Sequence, residues 1–379
     1  MSHARFPLLL LLGLLGACAT SQEVSSNAPI LTPTSMEAVA EFIDRQPTGV
    51  AVSREGRIFV NFPRWGLPVD ASVVEIGRGG RQKAYPDASW NQWLPGRHNP
   101  AEHFISVQSV VADKTGFLWV LDPASPGFRG VVPGGAKLVQ IELSSNQVVR
   151  IFTFDSLLAP KTSYLNDVRI DPLKKKAYIT DSGLGALLVV DLKTGRARRI
   201  LDRHPALHAE VKLRPQIGGM AWQTPDGSVP KVHVDGIALD LRKGLLYFHA
   251  LTGKHLYRIP TVALNNPELG ADELGRRVTD LGPDVVCDGM LVGPHGEIYL
   301  TALETNAIMV RQADGSKAQT LITDPRLRWP DSLAWGPDGN LYATTSQIHL
   351  APDFRDASGN PYPFGLWRIR MNAPKVKGQ

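Results

Sequence analysis

An all-β fold, a six-bladed β-propeller with four-stranded blades, is what this sequence predicts, on three observations. A short phrase recurs six times: a polar residue, a small residue, an apolar run, a turn, then an aromatic strand. Its copies start at Thr48, Gln108, Asn166, Asp235, Asp288 and Asp331. Each start is followed at a fixed distance by a turn residue (Ser53, Asp113, Asp171, Asp240, Gly293, Gly336) and then by an aromatic (Phe59, Trp119, Tyr178, Tyr247, Tyr299, Tyr342). A supersecondary unit repeated at blade length closes into a ring. The composition agrees: 35 Gly and 29 Pro in 379 residues, with no long amphipathic helix, suit a turn-rich β protein.

The N-terminus reads as targeting rather than fold. Arg5 precedes the apolar run Pro7 to Leu15, too short to span a bilayer and suited to a signal-peptide core. The stretch Leu15-Gly16-Ala17-Cys18 resembles a bacterial lipobox, which makes residues 1–17 a signal peptide and Cys18 the lipidated first residue of the mature chain. Ala19 after the cysteine favours the outer membrane, so the expected location is the periplasmic side of the envelope, with a membrane contact through the lipid. Residues 18–40, rich in Ser, Thr and Pro, read as a flexible tether, and 41–379 as the propeller. Cys287 is then the one thiol left; its place before an inner strand suggests a buried, inert residue.

Within each repeat the innermost strand begins at the polar residue and the second ends at the aromatic. Third and fourth strands follow, most clearly in ALLVVDLKTGRARRIL and again over Asn306 to Leu321. Strands alternate in direction, so all six inner strands start on one face of the disc. Thr48, Gln108, Asn166, Asp235, Asp288 and Asp331 therefore converge on one mouth of the channel. Three insertions break the period, Arg64 to Phe104 (with Trp65, Trp90 and Trp93), Arg203 to His233 and Ile348 to Phe364; long loops on a rigid ring are where specificity usually resides.

The net charge of +5 excludes little. The basic clusters Lys174–Lys176 and Arg196–Arg199 lie beside turns without interleaved aromatics, so no nucleic-acid partner is expected. A closed ring leaves few strand edges, and a monomer is expected. No G-x-S-x-G elbow, P-loop, H-E-x-x-H or dinucleotide fingerprint is present. The chemistry lies instead at the mouth, where Asp235, Asp288 and Asp331 join Asn166, with Asp167 adjacent. Like charges this close need compensation, and oxygen-only ligands would suit a hard divalent cation such as Ca²⁺. Asp and Asn also cap backbone NH groups where a turn enters a strand, which needs no ligand. His233 and His249 lie near the fourth mouth strand, either as general bases or as ordinary core or surface histidines.

The stretch Val234 to Thr261 (VDGIALDLRKGLLYFHALTGKHLYRIPT) resembles the signature of the major royal jelly protein and Yellow family, as do YLNDVRID, TDSGLGALLVVDLKTG and WPDSLAWGPDGNLYATTSQ. The resemblance covers nearly all of the chain after the tether and implies a six-bladed propeller. It also implies a range of functions, from ligand binding and storage to dopachrome conversion. The related gluconolactonase and senescence-marker propellers hold a divalent cation with Glu, Asn, Asn and Asp at inner-strand starts. Here Thr48 stands in the glutamate's place and Asp235 in that of an Asn. The resulting expectation is a small polar or aromatic ligand bound at the mouth by Thr48, Gln108, Asn166, Asp167 and Asp235. The alternative is an enzyme, a lactone hydrolase or a tautomerase, using Asp288 and Asp331 catalytically. The cation, where present, would sit among Asn166, Asp235, Asp288 and Asp331.

Overall fold

Six four-stranded antiparallel sheets form the ring. The structure, a computed structural model, describes residues 1, 32–312, 315–351, 354 and 363–372; the expected signal segment and Cys18 lie outside the described residues. From the inside outwards, blade 1 comprises Val50–Val52, Ile58–Asn61, Val73–Ile76 and Gln82–Ala84. Blade 2 comprises Ser109–Ala112, Phe117–Asp122, Lys137–Glu142 and Gln147–Thr153. Blade 3 is built of Leu165–Asp171, Lys176–Asp181, Ala186–Asp191 and Ala197–Ile200. Blade 4 is built of Val234–Asp240, Leu245–Ala250, His255–Pro260 and Thr279–Pro283. Blade 5 runs Cys287–Val292, Ile298–Ala302, Ala307–Arg311 and Gln319–Thr323. Blade 6 runs Pro330–Trp335, Leu341–Thr345, Phe364–Asn372 and Thr32–Phe42.

Blade 6 corrects the expected domain boundary. Its outermost strand comes from the N-terminal end of the chain, so residues 32–40 belong to the propeller and not to a tether. Thr32–Phe42 pairs antiparallel with Phe364–Asn372, and Met36, Ala40 and Phe42 turn into the core. Glu37, on the opposite side, takes Arg368 at 2.7 Å and Arg370 at 2.8 Å. The physical reason is closure. A ring has two free ends, and placing both in one sheet pins them with a full ladder of backbone hydrogen bonds.

The core lies between blades. One apolar cluster fills each junction of neighbours: blades 1 and 2, 2 and 3, 3 and 4, 4 and 5, 5 and 6, and 6 and 1. A further cluster, with Ile217, Trp222, Leu251 and Trp329, lies under the 203–233 insertion, whose hairpin pairs Gln216–Ile217 with Met220–Ala221. No helix among the described residues is long and apolar enough to cross a membrane.

The repeated phrase has a local cause. Ser53, Asp113, Asp171 and Asp240 accept backbone NH groups of the turns that follow them, for example Thr115 N to Asp113 Oδ1 at 2.7 Å. Asp113 also accepts the Trp119 indole at 2.7 Å, tying the phrase's aromatic to its turn. In blades 5 and 6 the carboxylate comes from within the turn, Glu297 or Asp338, and takes the Tyr299 or Tyr342 hydroxyl at 3.1 or 3.0 Å. That carboxylate lies 2.4 or 2.3 Å from where a Cβ on Gly293 or Gly336 would stand, so glycine is required there for space.

Candidate functional site

The small residue after five of the six mouth residues (Gly49, Ser109, Gly236, Gly289 and Ser332) lets the inner strands close on one another. A Cβ on Gly236 would stand 2.2 Å from the carbonyl oxygen of Asp288, and one on Gly289 would stand 2.1 Å from that of Asp331. Side chains of the second strands bridge to the carbonyls of mouth residues in the next blade: Thr180 Oγ1 donates to Asp235 O at 2.8 Å, and Thr344 Oγ1 to Thr48 O at 2.6 Å. With the strand starts drawn together, their side chains floor a cavity of about 1010 Å³.

Gln108, Asn166, Asp235, Asp288 and Asp331 all line this cavity. Two expected ligand-binding residues do not. Thr48 is fully buried, donates its hydroxyl to Gln108 O at 2.9 Å and accepts Asn61 Nδ2 at 2.8 Å. A short hydroxyl between two strands is consumed by them, so Thr48 is mortar. Asp167 turns into the bore, 3.5 Å from Arg169, whose guanidinium reaches across to Met290 O of blade 5 at 2.8 Å. Asn166 and Asp167 sit at an irregularity in the pairing of their strand, between Leu165 and Val168, and of the two only Asn166 lines the cavity.

A directed chain of hydrogen bonds runs along the floor. Trp65 Nε1 donates to the Tyr164 hydroxyl at 2.7 Å, which donates to Gln108 Oε1 at 2.9 Å. Gln108 Nε2 donates to Asn166 Oδ1 at 3.2 Å, and Asn166 Nδ2 donates to Asp235 Oδ2 at 2.8 Å and Ser182 Oγ at 3.0 Å. From the other side, Trp329 Nε1 donates to Asp288 Oδ2 at 2.6 Å and Ser346 Oγ to Asp331 Oδ2 at 2.5 Å. Each step points a donor at the acids.

Those acids have no cationic side chain beside them among the described residues. Elsewhere buried carboxylates hold one: Asp122 has Lys137 at 2.9 Å, Asp181 has Arg199 at 2.6 Å and Asp284 has Arg311 at 2.7 Å. Among the described residues, no Lys, Arg or His compensates Asp235, Asp288 or Asp331. Burial, reinforced by the Asp288, Asp167 and Asp331 carboxylates, pushes Asp235 well above the usual carboxylate range. Burial, then the Asp288 charge, does the same to Asp331. Asp288 rises to about 7, again by burial, with the Trp329 indole working the other way by favouring the ionised form. The Asp288 carboxyl is close enough to push Asp235 further up, so these two acids titrate as an interacting pair.

The walls are aromatic: Trp65, Phe128, Tyr164, Trp222, Trp329 and Phe364. Phe128 is 53% exposed, stacks on Trp65 at 5.3 Å and packs against Tyr164 at 5.0 Å. Three of the liners, Phe128, Trp329 and Gln347, have φ of 56°, 52° and 50°, the left-handed region that costs a bulky residue about 1–3 kcal/mol. Strain gathers on this wall.

Trp65 and Trp222 come from the first two insertions, whereas Trp90 packs on Phe104 away from the cavity. Gln46, Tyr164 and Trp329 were missed by sequence reasoning, although each stands two residues before a phrase start and lines the cavity. That register was the available signal. Neither His233 nor His249 lines the cavity. His233 Nδ1 accepts Ala209 N at 3.0 Å. His249 is buried, its ring against Ala250 O at 2.8 Å and Cys287 Sγ at 3.0 Å, and burial lowers its pKa and raises that of the thiol.

The donor set does not form the expected oxygen cage. Asn166 Oδ1 is taken by Gln108 and its nitrogen faces Asp235. Among the described residues no three His, Cys, Asp or Glu side chains are grouped to hold a metal ion.

A six-bladed propeller whose mouth is an acid-floored, aromatic-walled cup defines the class of protein. Its sequence matches the major royal jelly protein model over residues 105–353, well over half of the chain. The chain belongs to the major royal jelly protein family. No curated protein matches it at a significant level of sequence similarity. Among solved structures it is similar to a gluconolactonase of Xanthomonas campestris (11% identity, TM-score 0.54, covering 91% of this chain and 96% of that one). It is also similar to a luciferin-regenerating enzyme (12%, TM-score 0.53, 91% and 97%) and a streptogramin B lyase (14%, TM-score 0.50, 89% and 98%). At these identities the likeness is one of fold.

Proposed function

We propose that this protein binds a small cationic molecule with an aromatic body at the channel mouth, as an exported lipoprotein held to the envelope through Cys18. One observation carries the ligand reading: Asp235, Asp288 and Asp331 are buried on the cavity floor with no Lys, Arg or His partner among the described residues. Burying such a group unpaired is costly, and a ligand ammonium is the missing partner. The aromatic walls suit the rest, since ring faces attract a cation and cover an aromatic body. The export reading rests on the sequence of residues 1–18.

A titration calorimeter tests the ligand class with phenethylamine and its neutral isostere 2-phenylethanol at pH 8. The amine should bind at least tenfold more tightly, a difference of about 1.4 kcal/mol or more. Equal affinity, or no binding of the amine, would defeat the reading.

A second reading, proton-transfer catalysis of the tautomerase kind, draws support from the neighbouring carboxyls of Asp235 and Asp288, both lining the cavity and both pushed up by burial. One carboxyl of such a pair can donate while the other accepts. Asp288→Asn should then stop turnover of an enolisable aromatic substrate altogether. Lactone hydrolysis, suggested by the gluconolactonase neighbour, draws less support, because Asn166 offers its amide nitrogen and not its oxygen to the acids.

A further inference from the structure

The face of the disc opposite the mouth carries a patch that the cup does not use. The turns from first to second strand lie on that face. In blades 3 and 4 they share a pattern, a leucine followed by two basic residues: Leu173-Lys174-Lys175 and Leu241-Arg242-Lys243. Leu173 is 85% exposed and Leu241 40%, and Val262, just past the end of His255–Pro260 on the same face, is 74% exposed. The three segments are stitched together: Lys174 Nζ donates to Thr261 Oγ1 and Thr261 N to Gly244 O, both at 2.8 Å. Their acids, Asp171 and Asp240, are buried and cap the turns, accepting from Lys174 N at 2.9 Å and Lys243 N at 3.0 Å. Solvent thus meets cations and bare apolar tips, and Lys193 and Arg196, exposed in the outer turn of blade 3, extend the positive charge. Asp272 and Glu273 climb away from the patch. A Cβ on Gly275 of their helix, Ala271–Gly275, would stand 3.0 Å from His204, which follows the outer strand of blade 3 at its mouth end.

The N-terminal strand also begins on this face. Trp335, the last residue of its inner strand, pairs with Leu341, Leu341 with Ile369, and Asn372 beyond it with Thr32. Thr32 therefore stands at the end of blade 6 away from the mouth, and blade 6 lies across the ring from blade 3.

We propose that this face docks on a bilayer surface rich in anionic phospholipid, with Leu173, Leu241 and Val262 entering the headgroup layer and the surrounding basic residues drawing in phosphates. A basic patch alone would suit any polyanion. Apolar tips without interleaved aromatics suit lipid, whose interface takes up apolar side chains and attracts cations at once. The patch stands without the export reading above, which adds a second contact. Under that reading the thirteen residues between Cys18 and Thr32 reach no more than about 45 Å. Anchored at blade 6 and docked at blades 3 and 4, the disc lies flat with its cup open to the aqueous side.

Fluorescence on the full protein tests the docking. Leu173→Cys, and separately Val211→Cys, carry an environment-sensitive dye, and the wild-type chain treated alike gives the background from Cys18 and the buried Cys287. Val211, 81% exposed in the insertion whose Trp222 lines the cup, reports on the mouth face. On vesicles of phosphatidylcholine and phosphatidylglycerol in equal parts, the dye at Leu173 should shift to the blue and be quenched by brominated lipid, and the dye at Val211 should not. Phosphatidylcholine alone should leave both unchanged. Lys175→Gln, Arg242→Gln and Lys243→Gln together should lower the ratio of docked to undocked protein, read from that shift, at least tenfold, since each basic residue near an anionic surface contributes roughly fivefold. Equal response of the two dyes, or a Leu173 signal indifferent to phosphatidylglycerol and to the triple variant, would overturn the proposal. So would a blue shift that grows with protein concentration in the absence of lipid, which would assign the face to a second copy of the chain. The mass of the peptide holding Cys18 is a separate readout. An unacylated cysteine removes the anchor, while a lipid-dependent signal at Leu173 still upholds the face.

Discussion

The ring places the same register position six times, yet its two halves treat that position in opposite ways. In blades 1 to 3 it holds Thr48, Gln108 and Asn166, whose polar atoms are engaged by neighbours within the fold. In blades 4 to 6 it holds Asp235, Asp288 and Asp331, each given one or two donors and no countercharge. The first half is a scaffold that aims hydrogen bonds, and the second is a charge reservoir. Removing a residue from the scaffold half should therefore harm folding, and removing one from the acid half should harm binding.

The largest effect is expected at Asp288. Asp288→Asn keeps an acceptor for the Trp329 indole but removes the charge, and a charged hydrogen bond contributes about 1.5–3 kcal/mol. Amine affinity should fall roughly ten- to hundredfold by calorimetry, while the ligand-free protein at pH 8 melts at a higher temperature. Loss of affinity together with a lower melting point would place Asp288 in the scaffold half.

The next effect is pH dependence. Asp288 has a folded pKa of about 7, above the usual carboxylate value, so its contribution to stability is fully present below about pH 4 and is lost as pH rises through 7. Asp235 and Asp331 shift in the same direction. A cationic ligand wants the opposite, the ionised form. Its affinity should thus weaken roughly tenfold per pH unit below 7 while the empty protein gains stability, and Asp288→Asn should flatten both curves. Parallel rather than opposed curves would break the link between the acids and the ligand.

The scaffold half gives a smaller and different response. Gln108→Leu strips the acceptor from Tyr164 and the donor from Asn166, leaving buried groups unmade at about 1–3 kcal/mol. Urea unfolding should show that loss, with amine affinity changed much less than in Asp288→Asn. A variant of wild-type stability that fails to bind would move Gln108 into direct ligand contact.

How far the sequence carried this comparison differs between fold and site. Phrase, turn and aromatic were legible because turn carboxylates such as Asp113 bond the aromatic that follows, which couples their spacing. The N-terminal strand was hidden by the Thr and Pro of TPTSMEAVAEF, although Met36, Ala40 and Phe42 keep to one face of a two-residue period. At the mouth, register alone located Gln108, Asn166 and the three Asp. It could not tell that Thr48 would be consumed between strands, because burial depends on Asn61, a neighbour on another strand. Nor could it place Trp222, which reaches the cup from an insertion whose path no periodicity describes.

The smallest expected effect belongs to calcium. Asn166 turns its nitrogen to Asp235, so an ion entering there would have to displace a hydrogen bond and rotate the amide against Gln108 and Ser182. Melting temperature should then move by less than about 1 °C between EDTA and millimolar Ca²⁺, whereas saturating amine raises it by mass action, about 2.7 kcal/mol of stability at a hundredfold excess over Kd. A rise of several degrees with calcium, lost in Asp288→Asn, would mean that the floor reorganises into an oxygen cage and that the missing countercharge is a metal. The two occupants make opposite demands on Asn166, since a cage needs its oxygen turned inward and an amine does not. Asn166→Asp separates them. The carboxylate should strengthen calcium binding if a cage forms. If the occupant is an amine, calcium should instead leave the variant's melting temperature unchanged while saturating amine still raises it.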